Sequence, residues 1–122
     1  MNREEFLLSL ESQTIDTVVV EEVEKQYGFE IPEIVKKIIS ASAESVFFDD
    51  DWRTLSVNEI LDASKDLHVD FEKQLLLPIV DVGDNDFIVY HAEDGTWSKF
   101  NIIEGCHFKV KKSFYEYFQK VK

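Results

Sequence analysis

Cysteine, glycine and proline are scarce in this sequence, and each shortage excludes something. Among 122 residues there is one cysteine, Cys106, so no internal disulfide can form, which suits a reducing compartment such as the cytoplasm. The sequence has only four glycines and no G-x-x-x-x-G-K-[ST] or G-x-G-x-x-G motif, which excludes a phosphate-binding loop of the known kinds. No long hydrophobic segment is present, and the charged N-terminus is unlike a signal peptide. We therefore expect a cytoplasmic protein without membrane contact.

Residues that bind metals or act as nucleophiles are also few. The histidines lack metal-ligand spacing, and one cysteine is too few for a closed zinc site. Cys106 and His107 are adjacent, but adjacent side chains of an extended chain point to opposite faces. The aspartates at 49–51 and 81–86 do not match the EF-hand pattern. We predict no catalytic residues, no metal and no cofactor. The alternative that these aspartates leave open is a small hydrolase or metal-dependent enzyme.

The chain is strongly acidic. It has 13 basic and 25 acidic residues, for a net charge of −12, although residues 105–122 hold five basic residues and one acidic residue. This charge argues against binding nucleic acid through its phosphates and favours a basic partner protein. The alternative is that the acidic surface only keeps the domain soluble.

The first half of the chain predicts helices. An apolar stripe indicates a short helix over residues 2–11, and a second helix runs from an N-cap at Asp16 to a stop at Gly28. Pro32 suits the first turn of a third, strongly apolar helix. The sequence Ser56-Val57-Asn58-Glu59 matches a capping box, and residues 65–74 have no clear period, so they are interpreted as an irregular connection.

The second half predicts a β-meander over residues 75–103. Asp94-Gly95 suits a two-residue type I′ turn, which would pair Tyr90 with Lys99 and direct Phe87 and Val89 toward the core. Pro78 predicts that the first strand is an edge strand or begins at that residue.

Shorter segments complete the predicted fold. Residues 46–48 and 107–110 are predicted strands, and Ser113 begins a terminal amphipathic helix that reaches Val121. Helices dominate the first half and strands the second. We therefore predict a single α+β domain over residues 1–122, with an antiparallel sheet and helices packed around it.

Charge indicates where a partner would bind. Two stretches combine carboxylates with turns, and the first also carries a tryptophan that could anchor an interface. The predicted partner-binding residues are Asp49, Asp50, Asp51 and Trp52, with Asp81, Asp84 and Asp86 as a second patch. The alternative for the aromatic residues is that they lie in the core under the helices.

Several motifs, in order, resemble the SUKH superfamily, the group related to yeast cell-wall synthesis regulators. They span residues from about 18 to 119 and comprise YGFEIP at 27–32, LSVNEI at 55–60, LPIVDVGD at 77–84, Asp94-Gly95 and SFYEYF at 113–118. The resemblance implies an α+β fold and a non-enzymatic immunity protein that neutralises a cognate toxin, often a nuclease, inside the producing cell. The alternative is a regulatory protein-interaction module without a toxin partner.

Overall fold

A computed structural model describes residues 1–49 and 51–118 and confirms the predicted α+β class, with an antiparallel sheet of six strands. The described helices are α1 (Arg3–Glu11), α2 (Thr17–Tyr27), α3 (Glu33–Ala41), α4 (Val57–Leu67), α5 (Phe71–Gln74) and a terminal 3₁₀ helix (Phe114–Phe118). The strands are β1 (Phe47–Phe48), β2 (Trp52–Thr54), β3 (Leu76–Gly83), β4 (Asp86–His91), β5 (Thr96–Asn101) and β6 (Cys106–Lys111). Among the described helices, none is long and apolar enough to cross a membrane.

The sheet is a meander in which each strand pairs with the next strand in sequence, in the order β1-β2-β3-β4-β5-β6. The predicted meander over residues 75–103 forms the middle of this sheet. The predicted short strands become β1 and β6, at its two edges.

The predicted helix ends agree with the structure. The Asp16 carboxylate accepts hydrogen bonds from the first turn of α2, and Gly28 ends that helix with a φ of 80°. Pro32 precedes α3, and Ser56 and Glu59 form the reciprocal capping box of α4.

The prediction of an irregular connection over residues 65–74 is wrong. Helix α4 continues to Leu67 and ends where His68 adopts a left-handed φ of 56°. Asp70 then caps the four-residue helix α5, whose Phe71 is fully buried. So short a helix contributes one core residue and therefore has no visible period.

The predicted hairpin register is also wrong. Tyr90 pairs with Trp97, not Lys99, because the loop between β4 and β5 has four residues, 92–95. Of Asp94 and Gly95, only the glycine has a positive φ, 73°, so the loop is not a type I′ turn. The shift equals two residues, which leaves each side chain on its predicted face because strands alternate with period two.

Pro78 lies inside an interior strand rather than at an edge. It pairs with Val89, and the register of β3 against β4 shifts between Pro78 and Val80. A bulge next to the proline interrupts the ladder where proline has no N–H to donate.

Both faces of the sheet are covered, whereas the predicted register directs only the face of Phe87 and Val89 toward the core. Ile88 and Trp97 are buried on one face, and Phe87, Val89 and Phe100 are buried on the other. In place of the predicted amphipathic helix, the structure has the terminal 3₁₀ helix, whose Phe114 contacts Trp97 with ring centroids 5.0 Å apart. Val121 lies outside the described residues.

Candidate protein-binding surface

The sheet topology brings three turns together at one end. Arg53 pairs with Asp81, so the start of β2 lies beside the end of β3. Asn101 pairs with both Asp86 and Cys106, so the end of β5 lies between the starts of β4 and β6. We call the surface formed by residues 49, 51, 84–86 and 102–105 the acidic end. It unites two stretches that the sequence shows as separate acidic patches.

The middle turn of the acidic end has the type I′ geometry that the sequence predicts for Asp94-Gly95 instead. Gly83 pairs with Asp86, and the two residues between them, Asp84 and Asn85, have φ angles of 54° and 65°. Asparagine and aspartate tolerate this left-handed conformation better than most residues. The Asp84 side chain is consequently exposed at the tip of the hairpin.

The side chain of Asn101 ties the middle turn to the next one. Its Nδ2 donates to Asp86 Oδ1 at 2.9 Å, and its Oδ1 accepts from the backbone N–H groups of Ile103 and Glu104 at 3.0 and 2.8 Å. These bonds fix the loop that carries Glu104, whose side chain is exposed. Ile103, which is 73% exposed, adds an apolar group at the same end.

The third turn follows β1 and is tied to the N-terminus. Asp49 has a φ of 53°, and its N–H donates to the carbonyl of Met1 at 2.8 Å. Its carboxylate forms an ion pair with Arg3 Nε at 2.5 Å. Asp51 is exposed, and Asp50, another predicted binding residue, lies outside the described residues.

The structure places Trp52 in the core. The residue is 7% exposed, and its ring contacts Phe48 and Phe118 edge-on at 6.0 and 6.2 Å. Two cations also lie over the indole: the Arg3 guanidinium at 4.0 Å and the Lys99 ammonium at 5.1 Å from its centroid. We therefore leave Trp52 out of the proposed binding surface.

Asp81 likewise belongs to an internal network. Its carboxylate lies 3.2 Å from Arg53 Nη2, and Arg53 Nη1 donates to both carboxylate oxygens of Glu59, at 2.9 and 3.0 Å. Burial alone would raise the pKa of Glu59, but hydrogen bonds from Arg53, from the Ser56 N–H and from the Ser45 hydroxyl outweigh it and lower the pKa to about 2. This network joins β2, β3 and α4, so we assign Asp81 a structural role.

Three carboxylates of the acidic end remain exposed: Asp51, Asp84 and Glu104. Asp49 and Asp86 are partly engaged, the first by Arg3 and the second by Asn101. Glu104 also accepts a hydrogen bond from the Cys106 thiol, at 3.6 Å, although it remains exposed. Glu104 was not predicted from the sequence. In a meander every second turn lies at the same end of the sheet, so the turn after β5 must lie beside the turn at 84–85. Counting the predicted strands would therefore have placed Glu104 at this end.

The cavity beside the Arg53 network is small. It measures about 60 Å³ and is lined by Arg53, Leu55, Glu59, Ala63, Asp66, Leu67 and Phe87. A ligand pocket usually measures about 300–1,000 Å³. A more open groove beside α2 measures about 330 Å³ and is lined by Ile15, Thr17, Val20, Glu21, Glu24 and Lys36. Across residues 1–49 and 51–118, no group of three or more histidine, cysteine, aspartate or glutamate residues could hold a metal ion.

Comparisons with family models, with curated proteins and with solved structures find no match to this chain.

Proposed function

We propose that this protein is a non-enzymatic binding domain that attaches to a basic partner protein through the acidic end. The observation that carries the proposal is that three successive turns expose the carboxylates of Asp51, Asp84 and Glu104 at one end of a six-stranded sheet. Hydrogen bonds and ion pairs hold these turns in place, so the carboxylates are presented with little freedom to lose on binding.

The charge of the whole molecule supports this function. A net charge of −12 attracts a basic protein over long range and increases the rate of encounter. The exposed carboxylates then face the basic surface directly, while Ile103 supplies an apolar contact among them.

The resemblance to the SUKH superfamily supplies the biological role that we propose. The protein would act as an immunity protein in the cytoplasm and neutralise a cognate toxin. A nuclease toxin presents a basic surface to nucleic acid, and a row of carboxylates could occupy that surface in place of phosphates. The alternative role, a regulatory interaction module, uses the same surface without blocking an active site.

Co-expression with the toxin domain encoded beside the gene tests this function. We expect the protein to restore growth and to co-purify with the toxin. A complex without rescue would favour the regulatory module, and neither rescue nor complex would contradict the immunity role.

A matched pair of triple variants tests the surface. The acidic-end triple carries Asp51→Lys, Asp84→Lys and Glu104→Lys. The control triple carries Glu22→Lys, Asp62→Lys and Glu93→Lys, which lie on α2, on α4 and in the loop at the other end of the sheet. Both triples change the net charge from −12 to −6. We expect only the acidic-end triple to lose rescue, and equal rescue by the two would place the interface elsewhere.

A further inference from the structure

Two histidines that are far apart in sequence meet across one strand. His91 ends β4 and His107 lies in β6, and Ser98 of the intervening strand β5 lies between them. The Ser98 hydroxyl oxygen is 2.7 Å from His91 Nε2 and 2.7 Å from His107 Nδ1. The centroids of the two imidazole rings are 4.7 Å apart. One hydroxyl therefore links three neighbouring strands.

The hydrogen bonding of this triplet depends on its protons. Ser98 is completely buried, so water cannot complete its bonds. Its hydroxyl can donate one hydrogen bond, and its oxygen can accept another. The triplet is satisfied when one imidazole accepts from the hydroxyl and the other donates an N–H to it. Either two neutral imidazoles or one neutral and one protonated imidazole can provide this pair of bonds.

Two protonated imidazoles cannot provide this pair of hydrogen bonds. Both rings would then donate, the hydroxyl hydrogen would lose its acceptor, and two positive charges would lie 4.7 Å apart. Partial burial lowers the pKa of both histidines, although His107 is itself an exposed residue, and the charge of His91 lowers the pKa of His107 further. We call the arrangement in which both rings bond to Ser98 the closed state. Both hydrogen bonding and charge repulsion make protonation of the second imidazole unfavourable in this state.

One nearby charge acts in the other direction. Asp94, in the loop between β4 and β5, raises the pKa of His91, but burial of the ring outweighs it. The Asp94 carboxylate itself accepts hydrogen bonds from the N–H and hydroxyl of Thr96, at 3.0 and 2.6 Å. No carboxylate in the described part of the chain forms an ion pair with either imidazole.

Helix α5 contributes an aromatic residue behind His107. Phe71 of α5 touches Phe100, whose ring centroid lies 4.6 Å from that of His107. The acidic residues of this region bond elsewhere: Asp70 accepts from the N–H of Lys73, and Glu72 accepts from Gln26. Of the lysines of β6, Lys111 pairs with Trp97, on the face of the sheet opposite the triplet, and the charge of Lys109 acts on Lys99.

The strand that the triplet holds is weakly packed. β6 is an edge strand, and most of its residues are exposed, including Cys106, Lys109 and Val110. Lys109 has a left-handed φ of 50°, where the register of β5 against β6 shifts. Besides the ladder to β5, the strand is tied by the Tyr117 hydroxyl, which donates to the carbonyl of Lys109 at 2.8 Å.

We propose that His91, Ser98 and His107 form a proton-sensitive latch, which holds β6 on the sheet while at most one imidazole is protonated and releases it when both are. The direction of the pH dependence follows from the number of protons that each state binds, where the open state is the one in which β6 is released. Histidine in the open state has an ordinary pKa of about 6.5, above that in the closed state, so the open state binds more protons. Acidification below about pH 6.5 therefore increases the open population, by up to about tenfold per pH unit for each extra proton.

Amide hydrogen exchange measured by NMR at pH 7.5 and pH 5 tests the latch, with each rate corrected for the intrinsic effect of pH. We expect the protection of the β6 amides to fall about tenfold or more at pH 5, while the buried amides of α3 keep theirs. An NMR titration of the imidazoles should show the pKa values of both His91 and His107 below the ordinary histidine value of about 6.5. Equal loss of protection in β6 and α3, or titration of both imidazoles at the ordinary histidine value of about 6.5, would overturn the proposal.

A non-titrating double variant provides the decisive comparison. His91→Gln places an amide near the position of Nε2, and His107→Asn places one near Nδ1, so both hydrogen bonds can form without a titrating ring. We expect β6 in this variant to stay protected from pH 7.5 to pH 5. His68→Asn, the matched control, should keep the wild-type response. Release of β6 at pH 5 in a folded double variant would overturn the proposal. If the variant does not fold, the NMR titration of the wild type is the deciding test.

Discussion

The substitution Glu59→Gln isolates the charge at the centre of the network between β2, β3 and α4. Both carboxylate oxygens accept from Arg53, and Oε1 also accepts from the Ser45 hydroxyl and the Ser56 N–H. Glutamine retains a side-chain oxygen that can accept from Ser56, so the capping box of α4 can persist. The substitution therefore removes the attraction to Arg53 while changing the shape of the site very little.

The pKa of Glu59 sets the size of the expected effect. Its pKa falls from 4.5 to about 2, which would correspond to about 3 kcal/mol if the shift were fully converted. The Glu59 side chain is 40% exposed, so solvent screens much of this interaction. We expect Glu59→Gln to lower the free energy of unfolding at pH 7 by about 1 kcal/mol.

The dependence on pH distinguishes this charge from a packing effect. Because the folded pKa is below the unfolded value, the stabilisation is complete above pH 4.5 and is lost as the pH falls toward 2. The variant never has this stabilisation. The difference between wild type and variant should consequently shrink by more than half by about pH 3.

Urea unfolding at pH 7 and pH 3 measures this difference. Glu44→Gln, at an exposed glutamate in the loop after α3, serves as the control and should leave the stability at pH 7 nearly unchanged. A difference for Glu59→Gln that is the same at both pH values, or no difference at pH 7, would refute the assignment of the lowered pKa to Arg53.

Two further substitutions test the fold around α5. Phe71→Ala removes a fully buried ring that contacts Phe100, and it should lower the free energy of unfolding by about 3–5 kcal/mol; a loss under about 1 kcal/mol in urea unfolding would contradict the burial of α5. Leu75→Gly relieves a left-handed φ of 58° at the end of α5, and it should raise the melting temperature by a few degrees, about 0.5–1 kcal/mol. A lower melting temperature would show that the leucine, which is 38% exposed, contributes more by packing than it loses by strain.

Local signals in the sequence predicted the helix ends and the fold class well. Asp16, Gly28 and Ser56 act on the backbone within a few residues, so their effect is independent of the tertiary structure. The alternation of the meander strands likewise fixed which residues share a face. The pairing of β4 with β5 could not be predicted from local sequence in the same way. The loop over residues 92–95 sets their register, and an Asp-Gly pair suits either a two-residue or a four-residue loop.

The candidate site was predictable only in part. The aspartates of the two turns were visible from charge, but their union at one end depends on the order of strands and on the register of β2 against β3. The burial of Trp52 depends on Phe118, which is distant in sequence. The triplet of His91, Ser98 and His107 had no sequence signal, since it forms only when three strands align.

The salt dependence of partner association tests the central claim most directly. The measurement is the association rate constant with the co-purified partner, from low to physiological salt, for the wild type and both triple variants. We predict that the wild type and the control triple, with changes at Glu22, Asp62 and Glu93, associate faster at low salt. The acidic-end triple, with changes at Asp51, Asp84 and Glu104, should bind slowly with a flattened salt dependence. The same rate and the same salt dependence for the two triples would contradict binding through the acidic end.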